Sequence, residues 1–295
     1  MFKNHQSLEN NTVKIHFVGI GGIGMSGIAE VLLASGYPVS GSDVSESANV
    51  KKLRSLGAEV HVGHKEENLN NVTVVVYSSA VNDSNPEVAR AKREGIPVIR
   101  RAEMLAELMR LKYGLAVAGT HGKTTTTSFL ATILEECHLD PTYIIGGIVK
   151  NLKGHAKVGK GDFLVAEADE SDGSFLLLSP VMSVITNIDN DHMDHYGTEE
   201  NLFRAFVEFA NKVPFYGVVA LNAHDEKLMQ LKAELKRPAV TFAIDEAADF
   251  EARNVVYGHF ETNFDLYYKG EMKEHFEINL PGRHNVLNCL GAAAL

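Results

Sequence analysis

Residues 118–127 read AGTHGKTTTT, and this stretch narrows the available folds more than any other. It sets glycines, a lysine and a run of hydroxyls between an apolar strand, read over Leu115 to Ala118, and a helix that begins near Lys123 and continues through SFLATILEE. At such a junction the backbone N–H groups of the helix start converge on an anion, which makes the stretch a phosphate-binding loop. Lys123 would reach the terminal phosphates and Thr124 would hold Mg²⁺. The loop is a shorter relative of GxxxxGK[ST], because Val117 stands where the first glycine would be and Gly119 comes later. A strand that feeds directly into a helix is the unit of α/β folds.

The rest of the chain obeys that constraint. From Val13 onward short β-rich runs alternate with helical ones: VKIHFVGI, MSGIAEVLLASG, YPVSGSD, ANVKKLRSLG, AEVHVG, TVVVYSSA, PEVARAKREG and IPVIRR. RAEMLAELMR reads as one amphipathic helix and closes a first, Rossmann-like parallel-sheet domain over residues 1–110. Residues 111–295 restart with GLAVAG and the phosphate loop, then DFLVAEAD, VMSVITNI and YGVVALN, and read as a second, P-loop-type α/β domain. Its last runs, AVTFAI, NVVYGHF, NFDLYYKG and EMKEHFEINL, are expected to add a small antiparallel sheet at the edge. A length of 295 residues suits two such domains. The final NVLNCLGAAAL is a helix pattern with no C-cap glycine, from which a further domain is expected to be missing.

The net charge of −10 argues against a nucleic-acid or anionic-membrane partner, so an anionic ligand must be held by local groups. Two cysteines, Cys137 and Cys289, form no CxxC. The first residues, MFKNHQSLENN, are polar, and no apolar run approaches the roughly 18 residues that span a bilayer. The expectation is a cytoplasmic protein.

Three more clusters carry chemistry. Gly19-x-Gly21-x-x-Gly24 follows the strand KIHFV and opens a helix, with Asp43 ending the next strand. These glycines imply a bound diphosphate rather than a redox cofactor as such, since a UDP group meets the same requirement as NAD. A plain tight turn with close helix packing is the competing reading. In AEADESDGSF, strand alternation sets Glu167 and Asp169 on one face and Glu170 on the other, and Glu167 is the chosen Mg²⁺ ligand. TNIDNDHMDHYG follows another apolar strand and gathers Asp189, Asp191, His192, Asp194 and His195, where carboxylates beside a phosphate loop favour Mg²⁺ over zinc. In LPGRHNVLN, Asn285 and Asn288 lie three apart at a helix start, where they would read a purine edge or, for Asn285, cap the helix.

Taken in order, GIGGIGMSGIA, AGTHGKTTTT, EADESDGSF with NIDNDHMDHY, and PGRHNVLN resemble the Mur ligase family from about Val13 to Leu295. RRAEMLAELMR and GIGGIGMSGIAEVLL are similar to the branch that adds L-alanine to UDP-N-acetylmuramate in peptidoglycan precursor synthesis. The resemblance implies an enzyme of three domains, of which this chain holds the UDP-sugar domain and the ATPase domain. It implies that Gly19, Gly21, Gly22 and Gly24 hold the UDP diphosphate, with Ser42 and Asp43 near the uridine. Gly119, Thr120, His121, Gly122, Lys123, Thr124 and Thr125 would bind ATP, and Asn285 and Asn288 would approach adenine. Lys123, Glu167 and His192 become the catalytic set, with Thr124, Glu167 and His192 toward the metal, while Arg101 and His121 contact the acceptor sugar or its carboxylate. Some sister ligases carry a carbamoylated lysine beyond the DHMD histidine. NLFRAFVEF has none there, so that arrangement is not expected.

The implied reaction activates the lactyl carboxylate as an acyl phosphate, releasing ADP, before the amine of L-alanine attacks. Four alternatives stand beside it: a recycling ligase that adds murein peptide to UDP-N-acetylmuramate, a nucleotide-dependent switch or binding protein without ligase chemistry, a non-catalytic nucleotide-binding fragment of a true ligase, and a nicotinamide oxidoreductase. The last leaves the phosphate loop and both acidic clusters unexplained.

Overall fold

The computed structural model describes residues 13–78, 80–147 and 154–295. The polar N-terminal stretch discussed above lies outside them. By its internal contacts the chain forms two compact units: residues up to 108 together with 142–159, and residues 109–141 together with 160–295. Residues 142–147 and 154–159 therefore leave the stretch read as the second domain and pack with the first unit.

In the first unit β1 (Ile15–Val18), β2 (Val39–Asp43), β3 (Glu59–Val62), β4 (Val74–Tyr77) and β5 (Val98–Arg100) form a five-stranded sheet in the order β3-β2-β1-β4-β5. Every pairing in it is parallel, as the alternation with helices requires. The helices are α1 (Ile23–Ala34), α2 (Ala48–Ser55), α3 (Pro86–Glu94) and α4 (Arg101–Met109). Local chemistry sets their ends. Ser47 caps α2 by accepting from Val50 N–H, and α3 starts on Asn85 with a proline in its first turn and stops at Gly95 in the left-handed region.

Helix α1 is buried on nearly all sides because it is covered twice. The second cover is a hairpin of β7 (Thr142–Ile144) and β8 (Ala156–Lys157), which packs on α1 at Gly27. A Cβ there would lie 3.2 Å from Ile144 and 3.3 Å from Ala156, so the close approach depends on the missing side chain. Beside this contact Ser26 Oγ is hydrogen-bonded to His155 Nε2 at 3.0 Å, and Lys52 Nζ pairs with Glu30 at 2.8 Å.

The second unit contains β6 (Tyr113–Ala118), α5 (Lys123–Glu136), β9 (Phe163–Glu167), β10 (Met182–Ile185), α6 (Met193–Tyr196), α7 (Glu199–Asn211), β11 (Val218–Asn222), α8 (Glu226–Glu234), β12 (Ala239–Ile244), β13 (Phe250–Tyr257), β14 (Thr262–Tyr268), β15 (Glu271–Ile278) and α9 (Arg283–Ala293). Its strands run β15-β14-β13-β12-β11-β10-β6-β9. The pairs from β9 to β13 are parallel, and β13-β14-β15 are antiparallel. The antiparallel strands thus extend the main sheet. AVTFAI departs from the expectation: β12 returns from α8 as a crossover strand and lies parallel to both neighbours, whereas only the later runs are antiparallel. Residues 245–249 alone connect β12 to β13, and the link is held by Thr241, whose N–H and hydroxyl both donate to Asp249 at 2.8 and 3.0 Å.

Helices α5 and α9 pack against each other, and α9 also covers β10 to β13. On α7, Phe206 and Phe209 enclose Phe175 with ring centroids 5.3 and 5.0 Å away. Among the described residues no helix is long and apolar enough to cross a membrane.

Candidate active site

Each sheet brings its glycine loop to the carboxyl end of a strand where the strand order reverses, the position at which open α/β sheets bind ligands. In the first unit the turn after β1 is tied to β2: the N–H groups of Gly19 and Ile20 donate to Ser42 O at 2.8 and 3.0 Å, and Gly21 N–H donates to Asp43 Oδ2 at 2.8 Å. A Cβ on Gly21 would fall 2.8 Å from that same oxygen. Helix α1 then begins on Gly22 with no side-chain cap, which leaves its first N–H groups for a ligand. A Cβ on Gly24 would lie 3.2 Å from Arg101 Cδ and Nη1, so the guanidinium stands over the opening of the helix. A helix start and a cation together suit an anion.

Asp43 and Ser42 are both tied into the hydrogen bonding of the turn itself. Asp43 spends one oxygen on Gly21 and the other on Ser45 N–H, bracing the loop. Ser42 is fully buried, its hydroxyl donates to Glu87, and it is hydrogen-bonded to His64 Nδ1 at 2.8 Å. Its carbonyl positions the glycine turn while its side chain joins a polar network beneath it. Glu87, in the first turn of α3, also meets His16 and Asn68 in that network. Burial alone would push the Glu87 carboxyl up, but hydrogen bonds from His16, Ser42 and Asn68 outweigh it and hold it below the usual carboxylate range.

In the second unit three motifs leave adjacent strands: the phosphate loop from β6, EADESD from β9 and TNIDNDH from β10. The loop is clamped by the last of these. Thr120 N–H donates to Asn187 O at 3.1 Å, His121 N–H to Asn187 Oδ1 at 2.8 Å, and His121 O accepts from Thr186 Oγ1 at 2.6 Å. Gly119 fits against this clamp only because it lacks a side chain: φ is +126°, and a Cβ would lie 2.1 Å from Thr186 Oγ1. Thr186 and Asn187 were not singled out in the sequence, although their place directly after an apolar strand beside the loop was the available signal. Helix α5 begins at Lys123 on Gly122, again with no side-chain cap, and Thr124 is exposed on its first turn.

Lys123 folds back into the loop. Its Nζ donates to Gly119 O at 2.7 Å, Thr120 O at 3.2 Å and Glu170 Oε1 at 2.9 Å. The Glu170 side chain is fully buried, and its second oxygen is buried without a hydrogen-bond partner. His192 Nε2 stands 3.7 Å from Glu170 Oε1, held at the start of α6 in the left-handed region with φ +57°. Tyr196 fixes the geometry from below by donating its hydroxyl to Glu170 O, and burial raises the Tyr196 phenol above its ordinary range so that it stays a donor.

The acidic residues of EADESD divide their roles. Strand β9 ends at Glu167, so alternation along a strand does not govern Asp169 or Glu170. Glu167 stands at that strand end, paired in register with Val117 of β6. Asp169 and Asp172 accept from Ser171 and Ser174 N–H and shape the turn. Among the described residues no group of three or more His, Cys, Asp or Glu is gathered in metal-holding geometry.

The start of α9 reaches the loop as well. A Cβ on Gly122 would lie 2.5 Å from Asn288 Oδ1, so Asn288 packs against the phosphate loop. Asn285 is not the N-cap, which is Gly282, and it donates its amide to Pro281 O at 2.7 Å.

Two family models cover this arrangement: one described as Mur ligase family, catalytic domain, matches residues 14–113, and one described as Mur ligase middle domain matches residues 117–295. The chain belongs to the Mur ligase family. Among curated relatives it is 56% identical over 286 residues to the UDP-N-acetylmuramate--L-alanine ligase of Trichlorobacter lovleyi, covering 97% of this chain and 63% of that protein. The crystal structure of UDP-N-acetylmuramate-alanine ligase MurC from Thermotoga maritima superposes with TM-score 0.83 at 34% identity, over 95% of this chain and 64% of that one. UDP-N-acetylmuramate:L-alanyl-gamma-D-glutamyl-meso-diaminopimelate ligase from Neisseria meningitides gives TM-score 0.85 at 28% identity, over 96% and 92%. The chain thus spans about three fifths of the length of the curated relatives it matches.

Proposed function

We propose that this chain supplies the two nucleotide-binding units of an ATP-dependent ligase that joins L-alanine to the lactyl carboxylate of UDP-N-acetylmuramate. The observation that carries the reading is the second unit's loop: an uncapped helix start, Lys123 and a buried carboxylate with an unpaired oxygen, clamped to one another. Similarity of fold does not divide the alanine-adding branch from the recycling branch, since both solved relatives superpose equally well. The 56% identity to an L-alanine ligase favours the former.

In this reading the first unit binds the UDP-sugar, its diphosphate on the glycine turn and the start of α1 with Arg101 above it. The second unit binds ATP, with phosphates on the start of α5 and adenine toward Asn285 and Asn288. Joining a carboxylate to an amine at neutral pH requires activation, here attack of the lactyl carboxylate on the γ-phosphate to give an acyl phosphate and ADP. The amine of L-alanine then displaces phosphate through a tetrahedral intermediate. Two anions approach in the first step, so the residues act mainly by positioning and charge neutralisation. Lys123 neutralises the transferring phosphoryl group, and the N–H groups of α5 hold its neighbours. The hard oxygen donors near the loop, Thr124, Glu167 and Glu170, together with His192, suit Mg²⁺, which keeps several non-protein ligands and needs no complete protein cage. When bound it would supply further neutralisation of phosphate charge.

Calorimetric titration tests the reading: UDP-N-acetylmuramate and, separately, NADH are titrated into the chain with and without Mg²⁺ and a non-hydrolysable ATP analogue. Saturable binding of the UDP-sugar and the ATP analogue with no NADH binding is expected. NADH binding in place of the UDP-sugar would overturn the assignment of the first unit.

A further inference from the structure

We propose that Glu170 is a specificity-determining residue that makes nucleotide binding conditional on a divalent cation, holding Lys123 in a resting geometry that cation-free nucleotide cannot use. This rests on the ATP reading of the phosphate loop.

An ammonium has three protons to donate. In Lys123 all three are spent, on Gly119 O, Thr120 O and Glu170 Oε1. A phosphate oxygen that engages Lys123 must therefore displace one of these acceptors. If it displaces a carbonyl, the triphosphate comes to rest beside a carboxylate already sharing the same ammonium, and like charges meet in a poorly hydrated place. If it displaces Glu170, a fully buried carboxylate loses its cation while its other oxygen has no hydrogen-bond partner at all. Either route carries a charge penalty, because a buried carboxylate stripped of its partner is strongly unfavourable. His192, 3.7 Å from the same oxygen, is too far to replace the lost hydrogen bond as placed.

A divalent cation that arrives with the triphosphate lowers both penalties at once. It reduces the charge of the nucleotide and gives the released carboxylate a positive neighbour. Glu170 thus acts as an interlock: the lysine is withheld from free nucleotide and yielded to the metal complex. By linkage, the cation must raise nucleotide affinity by the same factor as nucleotide raises cation affinity, and Glu170 is one source of that coupling.

The test is equilibrium binding of a non-hydrolysable ATP analogue, in Mg²⁺ and in EDTA, to the wild-type chain and to Glu170→Gln and Glu170→Ala. Thermal melts, with UDP-N-acetylmuramate binding as a second check, control for folding. Both variants remove the charge, so either one that is folded at the titration temperature decides the matter. The cation-free analogue is expected to bind the variants on the order of tenfold more tightly than wild type, shrinking the Mg²⁺ dependence by the same factor. Damage to the fold would weaken binding, not strengthen it. Equal or weaker cation-free binding in a well-folded variant overturns the interlock. If the wild-type chain binds the analogue neither with nor without Mg²⁺, the ATP reading fails and takes the interlock with it.

Discussion

Replacing Lys123 by methionine keeps the hydrocarbon stem and removes the charge, which isolates the worth of one ion pair. Glu170 is fully buried and the Lys123 side chain is 17% exposed, so the pair is screened little by solvent. Removing one partner of a buried pair typically costs about 3–5 kcal/mol, because the other is left as an uncompensated charge. The partial exposure of the lysine and the nearness of His192 place this case at the lower end, about 3 kcal/mol. For a unit of this size that corresponds to a fall of roughly 6–12 °C in melting temperature. The double variant Lys123→Met/Glu170→Gln removes the stranded charge as well and is expected to recover most of the loss. Scanning calorimetry, supported by urea unfolding followed by circular dichroism, reads both effects, with UDP-sugar added to mark the transition of the first unit. A single variant within about 1 kcal/mol of wild type, or a double variant no more stable than the single, would refute the reasoning.

Three further outcomes follow from the geometry. Gly119→Ala must put a Cβ 2.1 Å from Thr186 Oγ1 at a backbone φ of +126°, so it should abolish binding of the ATP analogue and cost at least about 2 kcal/mol in urea unfolding. Burial lowers the His155 pKa below its ordinary 6.5, so the unfolded chain takes up a proton first: its contribution to stability is complete above about pH 6.5 and is lost as pH falls from there through the lowered folded value. Urea midpoints at neutral and mildly acidic pH should therefore differ less in His155→Gln than in wild type, and an unchanged difference would count against the assignment. Cys289 is buried with its thiol pushed up to about 12, whereas Cys137 is exposed, so a thiol reagent should label Cys137 alone in the native chain and both after denaturation.

Local signals in the sequence were enough for the parts of the fold that are locally determined. Gly19 to Gly24 and Gly119 to Lys123 each mark a strand-to-helix turn, because a glycine-opened turn next to an apolar run leaves little else for the chain to do. What escaped depended on distant partners. AVTFAI has strand composition in any pairing, and its parallel direction is decided by the crossover through α8. Glu170 was set aside by extending strand alternation past Glu167, three residues beyond the point where the strand gives way to a turn. The clamp sets the Thr186 hydroxyl, the Asn187 amide and the Asn187 carbonyl on backbone groups of the phosphate loop, a distant partner that two ordinary polar residues after a strand do not name by themselves.

The first unit is not finished when its fifth parallel strand is made. Its outer cover over α1 comes from β7 and β8, after the phosphate loop and α5 have been synthesised. At about 10 residues per second a ribosome takes roughly five seconds to travel from residue 108 to residue 159. For that interval the face of α1 around Gly27 waits uncovered, so the two units must mature as interleaved events and not in simple succession. A gene cut after the fifth strand would leave that interval open for good.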